Sequence, residues 1–370
     1  MPVKILSMVW YKVLPPKFGG QKGIALFNQY LSRYCQLTCL CSDDNTDPGD
    51  LSYKVLPILP TGRKHVFNPF YWSKIRKAVS ATAPSFLILE HPYHGIGAIT
   101  AIAGKKTGLI VHAHNIEFLR FRQIGKWWWR ILQRYEGFVF RRAELVLFKT
   151  NSDQDFAVQH FKLDKDKSLV LPYGVERPAI PKDAKHHVRR QFNIAPDEKI
   201  LLFAGTLDYE PNAKAVENIY NELAPRLRKA GFKFRILICG RNKFPAFQYL
   251  KELQAADIIM TGEQDSIIPF FAAADAFINT TVSGGGIQTK ILDAIAHECN
   301  TVSFLSMTAG IPTETCEPKL FIAENENWDD FAVLTIHAAN QQNHTPEAFF
   351  EHFSWDKLLQ PLIRKLRLNE

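Results

Sequence analysis

At 370 residues, 46% of them hydrophobic and 22% charged, the chain has the composition of a globular protein and the length of two domains, each able to bury a core. No run of eighteen apolar residues occurs, and the opening MPVKILSMVWYK lacks a small-residue cleavage site, so neither a spanning helix nor a secretory leader is expected, and a cytoplasmic address is. The net charge of +8 is uneven, +13 over Met1 to Lys185 and −5 over the rest, which turns the first half toward an anionic phosphorylated molecule, a lipid surface or nucleic acid.

In chain order, apolar runs of strand length alternate with segments of helical period. VKILSMVW, LTCLC, YKVLPIL, FLILEHPY, LIVHAHN, ELVLFKT and SLVLPYG form a first series, with helices over Gln21 to Tyr34 and Pro69 to Ser80 among those between them. After ERPAIPKDAKHH, Glu176 to His187, a second series runs KILLFAGTLD, FKFRILICG, DIIMTG, AFINTT, NTVSFLS and KLFIAEN. This pattern predicts an α/β protein with two doubly wound parallel sheets. The domains expected are residues 1–180 and 181–353, with SWDKLLQPLIRKL, inside residues 354–370, read as a helix broken at Pro361 that packs back on the first domain. The six cysteines, Cys35, Cys39, Cys41, Cys239, Cys299 and Cys316, show no C-x-x-C spacing and read as small buried hydrophobes, with Cys39 and Cys41 on one sheet face.

Ligands of such sheets bind at strand-exit loops that lead into helix N-termini. PPKFGGQKGIALFNQYL places Gly19 and Gly20 at one such turn, without the dinucleotide spacing G-x-G-x-x-G. TTVSGGGIQTKILDAIAHE places Gly284, Gly285 and Gly286 at another, followed by Ile287, Gln288, Thr289 and Lys290. Bare glycine N–H groups beside an ammonium suit a diphosphate, and Asp293, one helical turn on from Lys290, suits a ribose diol. A tight turn with a surface Lys–Asp pair is the plainer alternative. The stretch EFLRFRQIGKWWWRILQRYEGFVFRR mixes rings with cations. Trp127, Ile131, Tyr135 and Phe138 share one helical face, expected to be core, while Arg122, Lys126, Trp128 and Trp129 are candidates for docking an acceptor or an anionic membrane. No nucleic-acid module pattern occurs, so no nucleic-acid partner is expected.

Together LLFAGTLDYEPNAKAVENI, LPYGVE, HAHNIEFLRFR and GGGIQTKILDAIAHECNTVS resemble the family 4 glycosyltransferases of the GT-B fold, over nearly the whole chain. The likeness is to the branch with G-G-G-T-[RK]-x-K-x-L-E-A-M-A. It implies two Rossmann-like domains facing across a cleft, a nucleoside diphosphate sugar as co-substrate with no other cofactor and no metal, and retention of anomeric configuration. It implies that Lys290 faces the donor diphosphate, that Asp293 holds the ribose, and that Gly284 to Thr289 follow the sugar and phosphates with backbone groups. Gly20 closes on the diphosphate from the first domain, Gly205 and Gly240 line the donor site, and His114 stands near the reacting sugar, with His112 on the same strand face competing for that role.

The chain departs from the family where Gly285 stands in place of a common glutamate and Asp293 in place of a second. No arginine follows GTL closely, which leaves Lys214 or Arg241 to share the diphosphate charge. The function expected is transfer of a hexose-type sugar to a carbohydrate or lipid-linked acceptor in polysaccharide or glycolipid assembly, in the cytoplasm or at the inner face of its membrane. A non-catalytic sugar-nucleotide or glycan-binding protein is the alternative. A nucleotide-sugar epimerase would need more charged residues in the cleft, and a nicotinamide dehydrogenase the missing G-x-G-x-x-G.

Overall fold

The computed structural model describes residues 2–16, 19–62, 65–284 and 286–368. The chain divides into two compact units, residues 1–174 with 355–370 and residues 175–354. The division falls just ahead of the proline-marked segment, because the Val175 N–H already donates to the Phe353 carbonyl and Val175 bridges Ser354.

Among the described residues, the first unit holds seven strands: β1 (Lys4–Val9), β2 (Gln36–Ser42), β3 (Lys54–Leu59), β4 (Phe86–Glu90), β5 (Gly108–Ala113), β6 (Leu145–Phe148) and β7 (Ser168–Val170). They pair in parallel in the order β3-β2-β1-β4-β5-β6-β7. The second unit holds β8 (Lys199–Ala204), β9 (Phe234–Cys239), β10 (Ile258–Gly262), β11 (Ala276–Asn279), β12 (Thr301–Phe304) and β13 (Leu320–Ala323), in the order β10-β9-β8-β11-β12-β13, again all parallel. Each strand overlaps one of the apolar runs read from the sequence, β2 and β5 starting one residue earlier. Their continuous Val, Ile and Leu content fits sheets covered by helices on both faces.

Each sheet has one place where the strand order reverses. In the first it lies between β1 and β4, and in the second between β8 and β11. Loops leaving those strands diverge to opposite faces, and the crevice at their carboxyl ends is where such folds accept ligands. Alternation along the strands sorts the core accordingly. Leu109 and Val111 of β5 enter one cluster, while Ile110 enters the other, beneath the helix Gly19–Leu31.

That helix also receives the last helix, Trp355–Lys365. Trp355 lies against Phe27 and Tyr30, with centroids 6.4 and 6.1 Å away, and a Cβ at Gly174 would stand 2.5 Å from its indole. The predicted break at Pro361 does not occur. The helix continues through it, because burial of Leu359, Leu362 and Ile363, each contributing roughly 1.5–3 kcal/mol, offsets the one helical donor that proline lacks. All six cysteines are free and buried. Among the described residues no helix is long and apolar enough to cross a membrane.

Candidate functional site

At the reversal point of the second sheet, β8 exits through Gly205 and β9 through Gly240. A Cβ on Gly240 would stand 1.8 Å from the Gly205 carbonyl oxygen, and one on Gly205 would meet the Asn212 amide at 2.8 Å. These glycines are thus required by backbone packing around Asn212. The Asn212 amide donates to the Thr206 carbonyl at 2.9 Å, and its Oδ1 accepts from Lys290 Nζ at 2.8 Å. Lys290 is the second residue of the helix Thr289–Ala296, which follows the glycine loop from β11. Its ammonium also lies 5.1 Å from the centre of the Phe203 ring. Among the described residues, no carboxylate forms an ion pair with it. Burial brings its pKa down to about 7, since a desolvated ammonium without a counter-charge favours the neutral amine.

The loop before that helix is shaped for backbone exposure. Gly286 has φ 68° and Gly284 φ 149°, the left-handed range that glycine occupies without strain, and no side chain caps the helix that Gln288 precedes. Gly285 lies outside the described residues. Next to this loop system, buried Asp208 accepts from the backbone N–H groups of Lys243 and Phe244, both at 2.7 Å, and from Arg241 Nε at 2.9 Å. It thereby ties the segment after β9 to the one after β8.

At the reversal point of the first sheet a different chemistry is assembled. Glu90 ends β4 fully buried and its carboxylate bridges two imidazoles, His112 Nδ1 to Oε1 at 3.0 Å and His114 Nε2 to Oε2 at 2.7 Å. Burial alone would raise the Glu90 pKa, but the two imidazoles outweigh it and hold the carboxyl well below its ordinary range. Burial in turn keeps His112 and His114 neutral. With Glu90 ionised, each ring donates its bonded N–H, so His114 presents Nδ1 as an acceptor.

The neighbouring loop adds a second clamp. His91 Nδ1 bonds Glu117 Oε1 at 3.1 Å, Tyr11 OH bonds His91 Nε2 at 3.2 Å, and Tyr93 OH donates to Glu117 Oε2 at 2.6 Å. The three imidazoles stack in sequence, with His91 4.4 Å from His114 and His114 4.5 Å from His112. Arg120 pairs with Glu117 at 3.0 Å. Glu136 accepts the N–H groups of Glu117 and Phe118, fixing the start of the helix Glu117–Gln123. Burial raises the Glu136 carboxyl to about 8. Among the described residues, Glu90, His112 and His114 are the one group whose ligand atoms gather as a metal site would need, within 4.8 Å of one another. Those atoms already satisfy each other, and the buried ammonium of Lys149 lowers the affinity of His112 for positive charge.

Two family models match, one to each unit: the Glycosyltransferase Family 4 model over residues 23–177 and the Glycosyl transferases group 1 model over residues 198–340. The chain is a family 4 glycosyltransferase of the GT-B fold. The glycosyltransferase is 19% identical to the uncharacterised glycosyltransferase MJ1059 of Methanocaldococcus jannaschii, over 81% of this chain and 75% of that protein. Its fold is shared with sucrose-phosphate synthase from Thermosynechococcus elongatus, at TM-score 0.79 and 12% identity with both chains covered in full. It is shared also with Anabaena Alr3699/HepE in complex with UDP-glucose, at TM-score 0.73 and 14% identity, covering 98% of this chain and 99% of that one.

The glycosyltransferase thus brings Gly205, Gly240, Gly284, Gly286, Gln288 and Lys290 to one switch point, with Ile287, Thr289 and Asp293 in the adjoining loop and helix turn. His114 lies in the other unit, partly exposed, whereas its competitor His112 is fully buried. Gly20 is exposed in the first turn of its helix, with open space where a Cβ would be. Of the two alternatives for an extra cation, Lys214 turns to Glu217 at 2.9 Å and Arg241 to Asp208. Sequence reading missed Asn212, Glu90, His91 and Glu117. The signal for Glu90 was an acid closing the otherwise apolar run FLILE, which has no place in a buried strand unless it is paired.

The basic and aromatic stretch is placed differently from expectation. In the helix Trp129–Arg142 the buried face is Leu132, Glu136, Val139 and Phe140, while Trp127 is 82% and Ile131 64% exposed and Phe138 is also exposed. Of the expected core stripe Tyr135 packs inward, its OH donating to the Tyr93 carbonyl at 2.6 Å, while the other three are turned outward because the Glu136 carboxyl faces the helix Glu117–Gln123 and because Trp127 precedes its helix. Trp128 and Trp129 are partly buried, packed on Phe121 and Phe118. Arg122 and Arg130 lie over the Trp129 ring, and Lys126 is exposed.

Proposed function

We propose that this glycosyltransferase moves a hexose-type sugar, with retention, from a nucleoside diphosphate sugar to a carbohydrate or lipid-linked acceptor. The observation that carries the reading is the Lys290 ammonium: partly buried, oriented by Asn212 at the mouth of a glycine loop and helix, and without a carboxylate ion partner among the described residues. Such a cation requires an anion, and a diphosphate supplies one that the helix N–H groups can share. Asp293 then takes the ribose, Gly284 to Thr289 follow the diphosphate and sugar, and the segments around Gly240 and Thr261 to Gln264 meet the base.

In this reading His114 accepts a hydrogen bond through Nδ1 from a hydroxyl of the sugar or acceptor, held there by Glu90. The leaving phosphate oxygen takes the acceptor's proton, so the protein supplies position and charge neutralisation rather than a strong base. Lys290 and the helix supply the positive charge that a metal provides elsewhere. UDP-glucose, held by Anabaena HepE, is the first donor to try. Release of nucleoside diphosphate from a panel of nucleotide sugars tests the reading, and Lys290→Met should lower it at least about a hundredfold.

The acceptor reading includes an anionic membrane surface on the cytoplasmic side. Trp127 and Ile131 are exposed next in the chain to Lys126 and Arg130, and exposed Phe67 is edge-on to Tyr135 of the same helix at 6.2 Å. This is the mixture of rings and cations that interfacial surfaces use. Flotation with anionic liposomes should be weakened by Trp127→Ala with Ile131→Ala. Equal flotation of that variant, or no flotation of the native protein, removes the membrane from the reading.

A further inference from the structure

The loop after β4 contains a feature that neither core packing nor turn formation accounts for. His91 has φ 62° and ψ 153°, a region reached without strain by glycine and avoided by residues with a Cβ. A glycine would turn the chain here at no such cost. Instead, a large ring is placed there and immobilised on every side. The His91 N–H donates to the His112 carbonyl at 3.0 Å. Its two ring nitrogens are taken by Glu117 and Tyr11, which lie on separate segments of the unit, and its face lies against His114 at 4.4 Å with the planes 25° apart.

We propose that His91 is a positioning residue whose strained backbone and clamped ring hold the His114 imidazole, its tautomer already set by Glu90, in one plane, a role that rests on His114 facing the transferring sugar. Without the His91 ring, the His114 ring is held edge-on only by its Nε2 bond to Glu90 and on one face by His112. It is then free to tilt about the bond to Glu90, and its Nδ1 lone pair loses a fixed direction. Proteins retain strained residues where the surrounding structure over-determines them, commonly at reacting centres. Here the over-determination is explicit: two hydrogen bonds on the ring nitrogens, a third from the backbone N–H, and a stacked imidazole.

The test compares His91→Gly with His91→Ala. Both remove the imidazole and leave Glu117 and Tyr11 with the same lost partner, but only alanine keeps the Cβ that makes the backbone strained. The glycine variant is expected to melt about 3 °C or more above the alanine variant. Both should lose about tenfold or more in kcat, with KM for the donor within about twofold, because misdirected His114 impairs the transition state more than donor binding. Side-chain NMR should show the His114 ring rigid in a single orientation in the native protein, and mobile with shifted ring signals in both variants, the Nε2–H tautomer being kept by Glu90. Equal melting of the two variants removes the strain. Native kcat, or an unchanged His114 ring signal, removes the positioning role. Either result overturns the proposal. A native protein that releases nucleotide from no donor defeats the transferase reading instead, while the melting and NMR comparisons still decide the role of His91.

Discussion

Donor affinity should depend on pH through Lys290. Its ammonium, brought down to about 7 by burial, is largely neutral at pH 8 in the free protein, and a bound diphosphate restores the counter-charge that keeps it protonated. The apparent dissociation constant therefore rises as the free amine becomes populated, by about tenfold between pH 6 and pH 8, or about 1.4 kcal/mol. Titration calorimetry with UDP-glucose in buffers of different ionisation enthalpy should record uptake of about 0.9 proton per molecule bound at pH 8 and about 0.1 at pH 6. A nucleotide sugar is the right probe because its diphosphate is esterified at both ends, whereas the terminal phosphate of the free diphosphate titrates near ~6. Lys290→Arg should bind with little pH dependence, since guanidinium stays protonated, and Lys290→Met should bind weakly with no proton uptake. The ligand-free protein follows the opposite trend. Its folded Lys290 binds fewer protons than the unfolded chain between pH ~7 and ~10.4, so this residue adds to stability as pH rises through that window. A dissociation constant that is flat from pH 6 to 8, or proton uptake that survives in Lys290→Met, would refute the argument.

Other consequences follow from named contacts. Asn212→Asp puts a carboxylate 2.8 Å from Lys290 Nζ in place of the amide oxygen, which raises the lysine pKa by about 1–3 units; UDP-glucose binding should weaken about tenfold or more and lose its pH slope, as calorimetry can show. Glu90→Gln removes the charged acceptor of two buried imidazoles and should cost about 1.5–3 kcal/mol in urea unfolding at pH 7. Because the Glu90 pKa is depressed, its contribution is present above pH ~4.3 and is lost as pH falls through the folded pKa, so variant and native stabilities should converge on acidification. Gly240→Ala should destabilise the second unit by at least about 3 kcal/mol, since the clash is with backbone; Gly20→Ala, with open space around it, should change stability by no more than about 0.5 kcal/mol. Thermal melts of the two variants decide between these outcomes.

The strands and their exit loops were legible because parallel strands buried on both faces must be nearly continuous in Val, Ile and Leu, and because glycines follow them where backbones converge, as at Gly205 and Gly240. Lys290 could be singled out because a cation four positions after three glycines, in the first turn of an amphipathic helix, has few other uses. Asn212 was not, since nothing in EPNAK distinguishes an asparagine that orients a lysine 78 positions away. His91 was equally hidden, because strain is a property of φ and ψ, and the run FLILEHPY reads as strand through the point where the chain turns. The outward stripe Trp127, Ile131 and Phe138 misled for a different reason: helical period gives a face but not which face is buried, and a buried carboxyl group, Glu136, decided it. At Pro361 a local rule gave way to tertiary burial of the residues on either side.

The central claim is that Lys290 and its glycine loop hold the diphosphate of a sugar donor whose sugar is transferred. It is tested most directly by incubating native protein and Lys290→Met with a panel of nucleotide sugars and measuring nucleoside diphosphate release. The account predicts release from at least one donor by the native protein and a loss of about a hundredfold or more in the variant. Release by Lys290→Met at the native rate, or none from any donor by the native protein, would contradict it.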